Sequence, residues 1–280
     1  MGWSIHQVGG HACRVFLPRQ PNEHGFVVVA LHDLLVDSSS PARSSGTTDS
    51  AAAFGTEFTQ PVFEKSFESL GLTVVAPLTG HSWWADRIAS EFDEIITPAQ
   101  FVCQHVVPWI AAEFNAGSAV FGEVACRVSP TGCPRLGLLG VGMGGQGALR
   151  ISYRHPNLFP VVAAINPDLD YQRHILTGDQ VLYAMYEEVE RARQDTALLH
   201  VHPLNWPRHQ FFCCDPDDWH VFNAVDRLRM KLNATGVPFE SDSQPVKGLF
   251  GRRKPYLQRG VHLAMDFILE RLNKERLRVV

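Results

Sequence analysis

Six glycines lie close together near the middle of the chain, where the sequence reads GLLGVGMGGQGALR from Gly137 to Arg150. The apolar residues 136–139 predict a short strand that runs into this cluster, and residues 146–155 predict a helix after it. A strand, a glycine-rich turn and a helix form a unit whose first helical N–H groups point toward whatever lies at the turn. The sequence therefore places a candidate functional site at this turn.

Strand and helix patterns alternate on both sides of the turn. Strands are predicted at residues 13–17, 26–31, 72–77, 161–165 and 210–214, and helices at residues 63–70, 98–114, 222–235 and 261–277. The alternation predicts one α/β domain over residues 1–280, with a mostly parallel central sheet and helices on both faces. Residues 37–50 (DSSSPARSSGTTDS) are small and polar and are predicted to form a surface loop.

The composition excludes several classes of protein. Of the 280 residues, 45% are hydrophobic and 19% charged, so the chain can bury a core and is not disordered. Its formal net charge is -4 and it has no basic runs, which argues against binding to nucleic acid or to an anionic membrane. No apolar stretch approaches the ~20 residues of a membrane-spanning helix, and no secretory signal is visible. We expect a cytoplasmic protein.

The six cysteines form no Cys-x-x-Cys pair and are expected to be reduced. A Cys126–Cys133 bridge remains open as an alternative. Cys213 and Cys214 fall in a predicted buried strand, so we expect them to fill the core rather than to react.

The histidines give no recognisable metal motif. His200 and His202 share one face of an extended segment, and His209, His220 and Asp218 follow them in the sequence. Zinc accepts such ligands, but no spacing typical of a zinc site is present. The sequence predicts neither a metal nor a cofactor.

One function compatible with the glycine cluster is dinucleotide binding. Gly140, Gly142 and Gly145 fit the spacing G-x-G-x-x-G, and Asp168 follows the next strand, where an acid could bind a ribose. The spacing alone is a weak signal, and here it comes after several α/β units. Dinucleotide binding is therefore a remote alternative.

The wider sequence from residue 140 to residue 167, GVGMGGQGALRISYRHPNLFPVVAAINP, resembles the esterase D (S-formylglutathione hydrolase-like) family of α/β-hydrolases. That family, which includes mycolyltransferase-like esterases, has roughly G-x-S-M-G-G-x-G-A-L here. Residues 28–32 (VVALH) resemble its strand before the oxyanion loop, and residues 101–114 its helix before the elbow. Residues 214–218 (CDPDD) resemble its acid loop, and residues 226–232 the helix that follows. The resemblance implies an α/β-hydrolase fold with a nucleophile elbow.

The catalytic positions implied by the resemblance are substituted. Gly142 stands where the family has its serine, and glycine has no side chain to attack a carbonyl group. Counting back from the last helix places Arg252 at the histidine position, with Arg253 or Lys254 as alternatives. An arginine stays protonated and cannot act as a general base. His262 lies downstream, but inside the amphipathic last helix, where we expect a structural role.

The expected oxyanion region comprises His32, Asp33 and Met143. Asp33 replaces a glycine of the family, and a carboxylate there would oppose a developing oxyanion. The acid of the triad is best matched by Asp218, with Asp215 second. A helix-capping or turn role for this acid is the simpler alternative.

Aromatic residues after the strand ending at residue 77 are candidate pocket residues, because ligands of open α/β sheets bind at the carboxyl ends of the strands. His81, Trp83 and Trp84 belong to this group, together with Asp215. The two indoles could equally be core residues.

The leading hypothesis is a catalytically degraded esterase homologue that keeps a small-molecule pocket or an assembly role, including self-association. The alternative is an ester hydrolase with another constellation, such as a water molecule oriented by Asp218 or His32. Two structural predictions follow from the substitutions. Gly142 should have a positive φ, and Arg252 should form an ion pair with Asp218 or Asp215.

Overall fold

Apolar, largely β-branched runs form the centre of the sheet, as expected for strands buried on both faces. The computed structural model describes residues 2–34, 54–114, 135–245 and 253–277. Its strands are β1 (Trp3–Val8), β2 (His11–Phe16), β3 (Val27–Leu31), β4 (Thr73–Pro77), β5 (Leu136–Val141), β6 (Val161–Ile165), β7 (His209–Cys213) and β8 (Glu240–Asp242).

These strands form one sheet in the order β1-β2-β4-β3-β5-β6-β7-β8. β2 pairs antiparallel with β1 and with β4, and all other neighbours pair parallel. The mostly parallel α/β architecture predicted from the sequence is confirmed. The carboxyl ends of β3, β5, β6 and β7 lie side by side at one edge of the sheet, where ligand sites of such sheets form.

Helices cover both faces of the sheet. They are α1 (Pro61–Ser69), α2 (Pro98–Phe101), α3 (Val107–Phe114), α4 (Met143–Arg154), α5 (Tyr171–Leu176), α6 (Gln180–Tyr186), α7 (Val189–Gln194), α8 (Ala197–His200), α9 (Trp219–Thr235) and α10 (Arg253–Arg276). A π-helical stretch, Val102–Val106, joins α2 to α3. A short 3₁₀ helix, Thr56–Thr59, precedes α1.

The hydrophobic core has two parts, one on each face of the sheet. One face packs against α2 to α4 and the helices from α5 to α9, around side chains such as Phe101, Leu149 and Tyr171. The other packs against α1 and α10, around Phe67 and Ile268. Each face of the parallel strands is therefore buried, which explains their continuous apolar sequences.

The predicted elements differ from the structure mainly where glycine or polar residues interrupt the pattern. α4 begins at Met143, three residues before the predicted start, because its first turn is glycine-rich and packs too closely for side chains. The edge strands β1 and β8 and the short helices α5, α6 and α8 were not predicted. In β1 only Val8 is buried, so the strand has no continuous apolar pattern. The short helices α5 and α6 depend on the capping residues Asp170 and Asp179.

Two sequence predictions lie outside the described residues, namely the surface loop at 37–50 and the Cys126–Cys133 bridge. Cys213 and Cys214 are fully buried, as predicted, and burial raises the pKa of each thiol to about 12. No helix in the described ranges combines the length and apolar character needed to span a membrane.

Candidate functional site

Gly142 is the single residue between β5, which ends at Val141, and α4, which begins at Met143. Its backbone has φ 53 and ψ -116, so the prediction of a positive φ is confirmed. A strand that turns into a helix through one residue of this conformation has the geometry of a nucleophile elbow. Glycine adopts the conformation without a steric cost.

The start of α4 packs directly against the end of β3. A Cβ added to Gly144 would lie 1.9 Å from the carbonyl oxygen of Leu31, which no side chain could tolerate. This close approach brings the residues after β3, beginning with His32 and Asp33, against the elbow. Two loops that are far apart in the sequence therefore meet at Gly142.

The Asp33 carboxylate occupies the space that a side chain at position 142 would fill. A Cβ added to Gly142 would lie 2.0 Å from Asp33 Oδ1 and 2.2 Å from Oδ2. Oδ1 accepts a hydrogen bond of 2.8 Å from the Met143 N–H and another of 2.8 Å from the Leu34 N–H. The Met143 N–H is the oxyanion donor that an elbow provides, and here it holds a carboxylate of the chain itself.

Glu57 adds a second carboxyl group to this site. The Asp33 N–H donates to Glu57 Oε1 at 2.7 Å. Burial raises the pKa of Asp33 to about 6, against the opposing effect of the Met143 and Leu34 hydrogen bonds. Burial, together with the charge of Asp33, raises the pKa of Glu57 to about 7. Both groups therefore titrate near neutral pH.

A Glu57→Gln substitution is expected to change how stability depends on pH. Because the pKa of Glu57 is raised on folding to about 7, the folded state binds the proton more tightly than the unfolded state. The wild-type protein should therefore lose stability as pH rises from about 4.5 to about 7, by at most about 1.4 kcal/mol per pH unit. The introduced amide cannot ionise, so the variant should gain stability relative to wild type between pH 5 and pH 8.

Urea unfolding of both proteins at pH 5 and pH 8 measures this difference. Glu91→Gln, a substitution of an exposed glutamate, is the control. Its free energy of unfolding should stay close to that of wild type at both pH values. An equal effect of Glu57→Gln on stability at the two pH values would contradict the raised pKa of Glu57.

His32 orders the loop after β3 and is not available as a base. Its Nδ1–H donates to the Asp33 carbonyl oxygen at 2.9 Å, and Nε2 accepts from the Thr79 N–H at 3.2 Å. Burial lowers the pKa of His32 to about 4, so the ring is neutral with both nitrogens engaged. The alternative of a water molecule oriented by His32 is therefore wrong.

An acid–histidine pair that sequence reasoning missed lies after β6. The Asp168 N–H donates to the Gly142 carbonyl oxygen at 3.0 Å, which fixes this loop to the elbow. His174 Nε2 lies 2.5 Å from Asp168 Oδ2, and Arg173 Nη2 lies 3.3 Å from the same oxygen. His174 Nδ1 is buried with no hydrogen-bond partner among the described residues.

Little in the sequence indicates this pair. Asp168 was considered only as a ribose-binding acid, and His174 lies in a short helix without a strong pattern. The one available signal is Asp170, whose side chain accepts a hydrogen bond from the Arg173 N–H and caps α5. That cap sets the position of the histidine next to it.

The aromatic residues after β4 lie in the core rather than on an open pocket wall. Trp83 and Trp84 are both 0% exposed, and both have positive φ, 53 and 51, which is rare for bulky residues. The Trp83 indole N–H donates to Asp179 Oδ2 at 3.0 Å, and that of Trp84 donates to the His32 carbonyl oxygen at 3.0 Å. His81 Nε2 lies 3.1 Å from Asp179. These side chains are part of the packed core next to the elbow.

The acid loop lies at the carboxyl end of β7, on the same edge of the sheet. Asp218 caps α9 by accepting a hydrogen bond of 3.4 Å from the Val221 N–H. Asp215 Oδ1 accepts from the Asp217 N–H at 3.0 Å. Both side chains thus stabilise local backbone, in line with the capping role considered for them.

Arg252 lies outside the described residues, and the ion pair proposed for it with Asp218 or Asp215 stays a prediction. The backbone of α10 begins at the next residue. His262 lies well inside this helix, as expected.

The geometry of the turn contradicts the dinucleotide alternative. A pyrophosphate would bind at the N-terminus of α4, directly after Gly142. The first helical N–H is already bound to Asp33. Asp168, the candidate ribose ligand, is paired with His174.

Three of the histidines considered as metal ligands have separate partners. His200 Nε2 lies 2.8 Å from Asp195 Oδ1, and His209 Nε2 lies 3.1 Å from Glu275 Oε1. His202 Nδ1 accepts from the Leu204 N–H. The part of the chain that the structure describes contains no group of three or more His, Cys, Asp or Glu residues arranged to hold a metal ion.

Solved structures with a similar fold include an esterase and two other hydrolases. A ferulic acid esterase superposes with a TM-score of 0.62 over 96% of both chains, at 14% identity. FphF, a fluorophosphonate-binding serine hydrolase of Staphylococcus aureus, has a TM-score of 0.59 at 13% identity, covering 95% of this chain and 99% of its own. The S-formylglutathione hydrolase FrmB of Staphylococcus aureus gives 0.57 at 13% identity, over 94% and 97% of the two chains.

No family model and no curated protein matches the sequence. The structural matches nonetheless cover nearly the whole chain, so the α/β-hydrolase fold expected from the resemblance is confirmed. At these identities the likeness establishes the fold and leaves the chemistry to be argued from the site.

Proposed function

We propose that this protein is an α/β-hydrolase homologue that has lost serine-esterase chemistry and keeps the crevice at Gly142 as a binding site for a small molecule. The position of the Asp33 carboxylate is the observation that supports this proposal most strongly. It fills the volume of the missing serine side chain and accepts the hydrogen bond of the Met143 N–H.

Ester hydrolysis through a serine would require a serine side chain in the volume that Asp33 fills and a Met143 N–H that is free to bind the oxyanion. The tetrahedral intermediate of an ester develops a negative charge, which an ionised Asp33 would repel. Loss of one oxyanion donor typically lowers kcat by about 10²–10³, and loss of the nucleophile by about 10⁴–10⁶. Together these losses remove the advantage over the uncatalysed reaction.

Incubation with a fluorophosphonate probe is expected to leave the protein unlabelled. These probes form a covalent bond with an activated serine, and the proposal has no such serine at the elbow. Intact-mass spectrometry should show the unmodified mass, and p-nitrophenyl acetate should be hydrolysed no faster than by heat-denatured protein.

The Gly142→Ser variant is the informative comparison. We expect it to stay unlabelled as well, because an arginine stands at the expected histidine position and leaves the introduced serine without the base of a serine triad. Stoichiometric labelling of wild type at any serine would overturn the proposal. Labelling of the introduced serine in a folded variant would show that the base and the oxyanion donor survive, which also contradicts it.

A second candidate function is hydrolysis without serine. It is favoured by the pair of Asp168 and His174 beside the elbow, in which one ring nitrogen is bound to the acid and the other has no partner among the described residues. A histidine oriented by a carboxylate is the arrangement of a general base.

A further inference from the structure

A cavity of about 160 Å³ lies beside the last two turns of α4, apart from the crevice at Gly142. Arg150 and Arg154 line it from α4, where a spacing of four residues places them on one face of the helix. Cys103 lines it from the π-helical stretch after α2, and such stretches occur frequently at functional sites. Arg154 lies 11 residues beyond Met143, or about 16 Å along the helix axis, so the cavity is a separate site.

Arg150 is buried, but one nitrogen of its guanidinium is open to the cavity. Its Nε and Nη2 donate to Asp195 Oδ1, at 3.0 Å and 2.6 Å. Nη1 donates to no group among the described residues, yet it is not one of their buried nitrogens without a partner. Nη1 therefore has accessible surface, and Arg150, which is only 3% exposed, lines this cavity. A planar guanidinium with a free edge suits a carboxylate.

The cavity also carries two opposite charges that do not pair with each other. Arg154 is exposed and forms no ion pair within the described ranges. Asp86 Oδ1 accepts from Thr97 Oγ1 at 2.8 Å, which fixes the carboxylate to the start of α2, whereas Oδ2 accepts no hydrogen bond from this part of the chain. Arg154 and Asp86 thus line one cavity but stay beyond the ~4 Å limit of an ion pair. That separation leaves room for a molecule between them.

The other titratable groups that line the cavity are neutral at pH 7. Partial burial, together with the charge of Arg154, lowers the pKa of His155, so its ring is mainly unprotonated. Burial raises the pKa of Cys103 to about 12, so its thiol stays protonated and is not a nucleophile. The cavity therefore has a cationic side formed by Arg150 and Arg154 and an anionic side formed by Asp86.

We infer that this cavity binds a small zwitterion, namely a free α-amino acid. The carboxylate of the ligand lies between Arg150 Nη1 and Arg154, and its ammonium group lies toward Asp86 Oδ2. A simple anion would be repelled by Asp86, and a simple cation would be repelled by the two arginines. The volume limits the side chain, because a cavity of about 150 Å³ holds benzene. Alanine has as many non-hydrogen atoms as benzene and fits this limit.

Equilibrium dialysis of the whole chain against radiolabelled L-alanine at pH 7 tests the inference. We expect saturable binding of one molecule per chain. Propanoate lacks the ammonium group and ethylamine lacks the carboxylate, so each should bind at least about tenfold more weakly than L-alanine. The absence of saturable binding would overturn the inference. So would propanoate that competes as well as L-alanine, because the site would then be one for anions.

Two substitutions separate the cationic side from the anionic side. Arg154→Gln should weaken the binding of L-alanine and of propanoate alike, by about tenfold or more, because both ligands place a carboxylate there. Asp86→Asn should weaken L-alanine by a similar factor but should bind propanoate at least as tightly as wild type, since the repelling charge is gone. The amide oxygen of the new side chain can still accept from Thr97. Arg150 is left unchanged, because its pair with Asp195 stabilises the fold.

Matched controls make the same charge changes away from the cavity. Arg19→Gln and Asp266→Asn replace exposed residues that do not line it, and neither should change the affinity for L-alanine. Equal weakening by these controls, or an unchanged affinity in folded Arg154→Gln and Asp86→Asn, would overturn the inference. Circular dichroism shows whether each variant is folded. Fluorophosphonate labelling reports on the elbow alone, so this inference and the loss of serine chemistry can fail separately.

Discussion

Replacing Gly142 with alanine is expected to lower the free energy of unfolding by about 4 kcal/mol or more. A residue with a Cβ is strained at the φ of 53 found here, at a cost of about 1–3 kcal/mol. The new Cβ would also lie 2.0 Å from Asp33 Oδ1, which forces the carboxylate away from Met143 and Leu34. Each hydrogen bond to a charged group contributes about 1.5–3 kcal/mol, so the displacement adds to the strain.

Gly236→Ala is the matched control for this substitution. Gly236 also has a positive φ, 69, but a Cβ added there would meet no atom within 4 Å. With ψ 18 it lies in the ordinary left-handed region, whereas Gly142 has ψ -116, so its variant shows the smaller cost of a Cβ at positive φ, without the displacement. Urea unfolding of both variants separates the two effects, and equal losses of stability would refute the contact with Asp33.

A double substitution isolates the contact further. In the Asp33→Gly background the carboxylate is gone, so Gly142→Ala should lose less stability than it does in the wild-type background. Residues in direct contact usually show interaction energies of about 0.5–3 kcal/mol in such cycles. Additive effects of the two substitutions would mean that Asp33 and position 142 act independently.

The architecture and the elbow could be predicted because both depend on local patterns. Continuous apolar runs specify buried parallel strands. The glycine-rich turn between a strand and a helix was predicted from its sequence, although the start of α4 was placed three residues too late. The positive φ of Gly142 was predicted from the resemblance to a nucleophile elbow. These inferences need no knowledge of distant contacts.

The charge pattern of the site could be predicted only in part, because it depends on contacts between distant residues. The sequence indicates that an Asp33 carboxylate would repel an oxyanion. It does not indicate the hydrogen bond of Asp33 to Met143, which joins residues 110 positions apart. Glu57 was not considered, although burial beside Asp33 raises its pKa to about 7. Neither the sequence position nor the residue type of Glu57 indicates that environment.

The aromatic residues and His174 illustrate the same limit. Trp83 and Trp84 follow a strand at the ligand-binding edge, so a pocket was a reasonable alternative, yet the loop turns inward through two positive φ values and buries both rings. His174 lies against the Trp83 ring, with the centroids 4.5 Å apart. Its position follows from how α5 packs over this loop, which the sequence pattern does not encode locally.

Replacing Asp195 with alanine is expected to lower the free energy of unfolding by about 3–5 kcal/mol, because it leaves a buried guanidinium without its partner. Arg150 on α4 is 3% exposed, and its Nη2 lies 2.6 Å from Asp195 Oδ1. Tyr186 and His200 also bind this carboxylate, at 2.5 Å and 2.8 Å. Burial alone would raise the pKa of Asp195, but these partners lower it to about 2.

This network joins α6, the end of α7 and α8 to α4. Because α5 packs against α6 and α7, loss of the network should loosen the segment that carries His174. Hydrogen exchange in residues 171–200 should accelerate more than exchange in the central strands, because those strands keep their own contacts. Glu190→Ala, which removes an exposed pair with Arg193, should change neither stability nor exchange appreciably. If Asp195→Ala behaved like this control, Arg150 would have to be stabilised by other groups. In that case the position of His174 beside the elbow would depend on the packing of Trp83 and Tyr171 instead.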